Sequence, residues 1–205
     1  MDAHLRAGVA VYNEGEYHAA HDAWEDHWLD LEPGTDDERF LHGLIQFTAA
    51  VFHARNRNWS GAVGLADSGR EYLKGGGDYR GVNVHTARAY LRALEADPER
   101  VERARPPALT VDGEALLFDD LGFEAAAVAA GVLAEEYGYD ESLFEQAAAY
   151  AREDFVDGET TSPFVTLVRD FLETDGKHDS VYHRLEQRVR RREARIEDSV
   201  DGEKR

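Results

Sequence analysis

From Leu5 onward the apolar residues Leu5, Val9 and Tyr12 recur three or four positions apart, the spacing that lines one face of an α-helix. Asn13-Glu14-Gly15 then supplies residues that stop a helix and turn the chain. Tyr17, Ala20, Trp24, Trp28 and Leu31 continue the same period in a second helix, closed by Pro33-Gly34, so the first two segments read as a helical hairpin. Thr35 or Asp36 is placed to cap a third helix, in which Phe40, Leu44, Phe47 and Val51 repeat on one face as far as about Arg57. A fourth runs from Trp59 to about Lys74 and ends in Gly75-Gly76-Gly77, a predicted flexible break. Gly15-x-Tyr17-x2-Ala20 is answered by Trp59-x2-Ala62, each opening the second helix of a hairpin, where alanine allows close approach and the aromatic ring fills the turn. Two such matches fall short of a solenoid.

Past the glycines the spacing predicts a short helix over Thr86–Ala96, stopped by Pro98, and a further turn or two over Glu99–Ala104. Pro106-Pro107 forces an extended segment. Leu109-Thr110-Val111, Asp112-Gly113 and Glu114-Ala115-Leu116 then have the form of a tight β-hairpin with an Asp-Gly turn. Four more helical patterns follow: Phe123–Glu136, Glu141–Val156, Pro163–Glu173 with Ser162 as cap, and Asp179 to about Glu197. The expected fold is all-α, a multi-helix orthogonal bundle built on two helical hairpins, with one small β-hairpin near 109–116. Residues 1–77 would form the helical-hairpin core and 78–205 a C-terminal helical extension packed on it.

Composition narrows the chemistry. The 205 residues are 42% hydrophobic, enough for a core without staples. There is no cysteine, which removes disulfides and thiolate chemistry and leaves His, Asp and Glu as the strong metal ligands. Met1-Asp2-Ala3-His4 lacks a basic segment followed by an apolar one, and no run approaches the roughly 20 apolar residues that span a bilayer. A soluble, cytoplasmic chain with no membrane partner is expected. Against 23 basic residues stand 42 acidic ones, for a net charge of −19 spread along the chain, which argues against nucleic acid as a partner. Only Lys74, Lys177 and Lys204 are lysines, and isoleucine occurs only at Ile45 and Ile196. This pattern resembles the cytoplasmic proteins of halophiles, in which molar salt shrinks the Debye length to about 3 Å and screens self-repulsion while dense carboxylates hold water. Arg188, Arg190, Arg191, Arg192 and Arg195 concentrate positive charge in the last helix, read as a solvated face bonding acidic neighbours and not as a nucleic-acid arm.

The candidate chemistry lies on the second and third helices. His21, Glu25 and Trp28 stand at i, i+4 and i+7, one stripe of one helix, while His42, Gln46 and His53 form a polar stripe on the next. Antiparallel packing would let His21, Glu25 and His53 meet as a two-His, one-carboxylate set for a divalent metal, with Gln46, Trp28 and Tyr17 as binding residues around it. Without metal, Glu25 and His21 are a general acid/base pair. No other acidic residue is expected on the third helix to complete a di-iron carboxylate set. Two plainer roles stay open: a structural hydrogen-bonded His/Glu cluster, or a protein-interaction or self-association face presenting Tyr17, Trp24, Trp28 and Trp59. His18 and His27 are placed on the exposed flank of the second helix, and His85, His178 and His183 in loops or near helix starts.

Taken together, Tyr12-Asn13-x-Gly15-x-Tyr17-x3-His21-x3-Glu25-x2-Trp28, then Phe40-Leu41-x-Gly43-Leu44-Ile45-Gln46 and later His53, Asn58 and Gly61-Ala62, resemble the family called domain of unknown function 309, in a haloarchaeal type. The resemblance covers roughly residues 5 to 74. It implies an all-helical bundle in which His-x3-Glu-x2-Trp is the hallmark at His21, Glu25 and Trp28, with Gln46 and His53 matched on the following helix. It implies no particular reaction.

Overall fold

The structure, a computed structural model, describes residues 1–75, 77–174 and 176–203, with the backbone alone for 199–203. Gly76 of the predicted break lies outside the described residues. Among the described residues the regular structure is helical except for one two-stranded sheet, as the periodicity predicts. It divides into two compact units, Met1–Ala125 and Ala126–Arg205.

The first unit begins with α1 (Asp2–Glu14), α2 (Tyr17–Leu29), α3 (Asp36–Arg55) and α4 (Trp59–Tyr72), followed by α5 (Val84–Ala96). Each packs on the next in order, so residues 78–125 cluster with the two hairpins through α5 on α4. Gly15 closes α1 in the left-handed region at φ 101°, and the amides of Gly15 and Glu16 return to the carbonyls of Tyr12 and Val11. Only glycine takes that conformation at no steric cost, which fixes the first turn. Gly8 answers a packing need: a Cβ there would lie 2.2 Å from Trp24 Nε1, and Trp24 is wholly buried against it. Trp24 is therefore a core residue and not part of any presented face, which corrects that element of the interaction reading. The echoed alanines Ala20 and Ala62 are both fully buried, as close helix approach requires. Thr35 is the cap of α3, its hydroxyl accepting from the Glu38 amide, and Asn58 caps α4 by accepting from the Gly61 amide at 3.2 Å.

Asn83 precedes α5, which starts two residues before the predicted Thr86, and a 3₁₀ turn over Pro98–Glu102 stands where the helical turn was expected. Strands β1 (Thr110–Val111) and β2 (Glu114–Ala115) pair antiparallel across Asp112-Gly113, both at positive φ, the turn that the Asp-Gly pair predicts. The hairpin is tied to α1 by one side chain. Asn13 donates to the carbonyls of Leu109 and Leu116, each at 2.9 Å, and accepts from the Leu109 amide at 2.9 Å.

The second unit holds α6 (Phe123–Glu136), whose first turn carries the division, α7 (Ser142–Val156), α8 (Pro163–Glu173) and α9 (His178–Glu203). Its core is Phe144, Phe164, Phe171 and Leu185. Ser162 caps α8 with Pro163 in the first position, as expected, and donates its hydroxyl to buried Asp154 at 2.8 Å. In the basic stretch of α9, Arg190 pairs with Glu186 at 2.8 Å and Arg192 with Asp154 at 3.2 Å. Among the described residues no helix is long and apolar enough to cross a membrane.

Candidate functional site

The stripe of His21, Glu25 and Trp28 divides into two polar groups, one turn apart on α2. The first is made within that helix. His21 Nδ1 lies 2.8 Å from Asp22 Oδ1 and 3.9 Å from Glu25 Oε2, and the three ligand atoms all fall within 4.8 Å of one another. On the other side of the same carboxylate, His18 Nδ1 stands 3.5 Å from Asp22 Oδ2, with the two imidazoles stacked at 6.3 Å. The geometry follows from helix spacing: His18-x3-Asp22 and His21-x3-Glu25 are overlapping i,i+4 pairs. Asp22 bridges them. The Asp22 hydrogen bond holds the His21 pKa above the ordinary imidazole value; burial opposes this and the Glu25 charge supports it. The group is half-exposed.

The second group crosses three helices. Trp28 Nε1 donates to Glu38 Oε1 at 3.0 Å, and the Gly34 amide donates to Glu38 Oε2 at 3.2 Å. His42 Nδ1 lies 3.5 Å from Glu38 Oε1, and its ring sits between Trp28, at 4.6 Å, and Tyr72 of α4, at 3.8 Å. Burial pushes the Glu38 carboxyl up, but the Trp28, Gly34 and His42 contacts together outweigh it and hold the group below its usual range. Tyr72 also borders a cavity of about 270 Å³ lined by Arg39, Phe40, Lys74 and Tyr79.

The other predicted residues have separate surroundings. His53 Nδ1 is 2.6 Å from Asn58 Nδ2, at the turn where Asn58 caps α4. Among the described residues His53 joins no set of clustered metal-ligating atoms. Gln46 faces α4, where a Cβ on Gly69 would stand 3.2 Å from its Cβ. Tyr17 stacks edge-on to Tyr12 at 5.3 Å beneath the Arg55 guanidinium, 5.5 Å from the ring centroid. His27 stacks on His4 at 5.2 Å.

Sequence reasoning missed Asp22, and the expectation of no further acidic residue on the third helix is corrected by Glu38, which stands in the first turn of α3. The signal for Asp22 was its i+4 relation to His18. For Glu38 it was Thr35-x-x-Glu38, the form of a capping box in the first turn of α3. The Glu38 side chain reaches back to Gly34 and Trp28.

Residues 5–65 match the family model described as Domain of unknown function (DUF309). The matched segment spans α1, α2, α3 and the first half of α4, so it contains both polar groups except Tyr72. No curated protein matches the chain.

Proposed function

We propose that His21, Asp22 and Glu25 bind a divalent cation. The observation that carries the reading is the convergence of three ligand atoms, with one imidazole nitrogen facing both carboxylates. Ligands at about 2.0–2.2 Å around a tetrahedral ion stand about 3.4 Å apart, between the two distances at His21 Nδ1. One neutral imidazole and two carboxylates carry the charge that neutralises a dication, and the set suits zinc, manganese or iron(II). Three protein ligands leave positions for water or substrate, the arrangement of hydrolytic centres. His53, expected as the third ligand, gives way to Asp22 in this reading. The test is calorimetric titration with zinc and manganese ions. Wild-type protein should bind one ion with proton release, and His21→Gln and Asp22→Asn should each weaken it about tenfold or more. A folded wild-type protein that takes up neither ion, or variants that bind as well, would end this reading.

A second reading uses the same atoms without metal. A carboxylate on Nδ1 fixes the proton there and leaves Nε2 as a base with raised affinity for protons, so His21 becomes the general acid/base and Asp22 its orienting partner. Proton and metal compete for Nδ1.

The surroundings of this chemistry are read as the cytoplasm of a halophile. A net charge of −19 with arginine in place of lysine suits molar salt, where screening removes self-repulsion.

A further inference from the structure

We propose that Tyr17, Tyr90, Arg55 and Arg100 of the first unit form a second binding site, for the phosphoryl group of a small phosphorylated ligand. The site stands on different residues from the metal reading and does not depend on it.

The starting point is an unsatisfied buried donor. Tyr90, on α5, is 7% exposed, and among the described residues its hydroxyl has no hydrogen-bond partner; the same holds for Arg100 Nε. A hydroxyl buried with nothing to bond costs stability, and native folds rarely keep one without a use. Tyr12, by contrast, donates its hydroxyl to the Pro107 carbonyl at 2.9 Å.

The rings and charges converge. Tyr17 packs on Tyr12 at 5.3 Å, Tyr12 on Phe47 at 5.2 Å, and Phe47 on Tyr90 at 6.3 Å. Arg55 covers Tyr17 at 5.5 Å, and Arg100 covers Tyr90 at 5.4 Å. The phenols are raised by burial, and the Arg55 charge works against that rise at both Tyr17 and Tyr90.

Among the described residues no carboxylate pairs with these two cations. Elsewhere in the unit Arg57 pairs with Glu102 at 2.8 Å, Arg80 with Asp37, Arg70 with Glu95 and Arg103 with Asp97. Among the described residues Arg55 and Arg100 make no ion pair, in a chain where carboxylates outnumber basic residues 42 to 23. Glu102, on the same 3₁₀ turn as Arg100, is taken by Arg57. Helix α2 begins at Tyr17 and makes no side-chain cap hydrogen bond, so the positive end of its dipole lies at Tyr17. Two guanidiniums match a dianionic phosphoryl group better than a single carboxylate, and a planar guanidinium binds it by two hydrogen bonds.

The probe is inorganic phosphate, titrated calorimetrically into the full chain at fixed potassium chloride with a chelator present, so that no metal site contributes. Wild-type protein should show one saturable site, weakened about tenfold by Tyr90→Phe and further by Arg100→Gln, and unchanged in His21→Gln. Without phosphate, Tyr90→Phe should melt at or above the wild-type temperature, because it deletes a hydroxyl that bonds nothing. If Arg100→Gln does not fold, Tyr90→Phe alone decides. Absence of a saturable phosphate heat in wild-type protein, equal affinity in Tyr90→Phe, or acetate binding as tightly as phosphate would overturn the proposal.

Discussion

Two His-carboxylate groups one turn apart on α2 have opposite constructions. His21, Asp22 and Glu25 come from five consecutive residues of one helix and need no neighbour to bring them together. Trp28, Glu38, His42 and Tyr72 come from three helices and the loop at Gly34, and each polar atom of Glu38 is met by a donor. The first group gathers negative charge around one imidazole and leaves it half-exposed; the second spends its contacts on holding α2, α3 and α4 in register. Similar residue types thus leave an imidazole open beside two carboxylates in one place, the group proposed to bind a cation, and serve architecture in the other. Satisfaction of the polar atoms, more than residue identity, separates them.

That difference is open to attack, most heavily at the second group. Glu38→Ala leaves the Trp28 indole and the Gly34 amide without an acceptor, and should cost about 1–3 kcal/mol in chemical denaturation. The variant should also shift Trp28 fluorescence; a loss near zero would place Glu38 with the exposed group. Because the Glu38 pKa is depressed, its contribution is present above the ordinary carboxyl pKa and is lost as pH falls through the folded value.

Salt should act on the molecule as a whole. Melting temperature is expected to rise between low and molar potassium chloride as carboxylate repulsion is screened. Flat melting across that range would contradict the halophilic reading.

The smallest effect belongs to the first group. Its folded His21 pKa is raised, so protonated His21 stabilises the fold below the unfolded imidazole value of 6.5, and that contribution is lost as pH rises through the folded pKa. Asp22→Asn should lower the His21 pKa toward its ordinary value in an NMR titration, while stability changes by less than about 1 kcal/mol at neutral pH, as for other solvent-screened pairs. An unmoved His21 titration would remove Asp22 from its orienting role.

Much of this was legible before any coordinates. The hairpins, the Ser162-Pro163 start and the Asp112-Gly113 turn follow from spacing and turn chemistry, which act over a few residues. Within the site, His21 and Glu25 were legible for the same reason, being one turn apart. Placing His53 beside them required knowing which faces of α2 and α3 meet and where each helix stops. Past the end of α3, Arg57 turns the chain at φ 58° and Asn58 lies against His53. Neither the burial of Trp24 against Gly8 nor the loneliness of the Tyr90 hydroxyl leaves a local trace.

The sequence by itself determined the helices, the β-turn, the charge of the surface and the His/carboxylate group on α2, because each depends on neighbours within about one turn. Tertiary structure decided what those helices do with their polar residues: Trp28 to Glu38, Asn13 to the hairpin, Arg55 and Arg100 over two phenols. These contacts depend on which faces pack and how closely. That is set by the shape of the whole core, to which every buried residue of the unit contributes and which no short window of sequence contains.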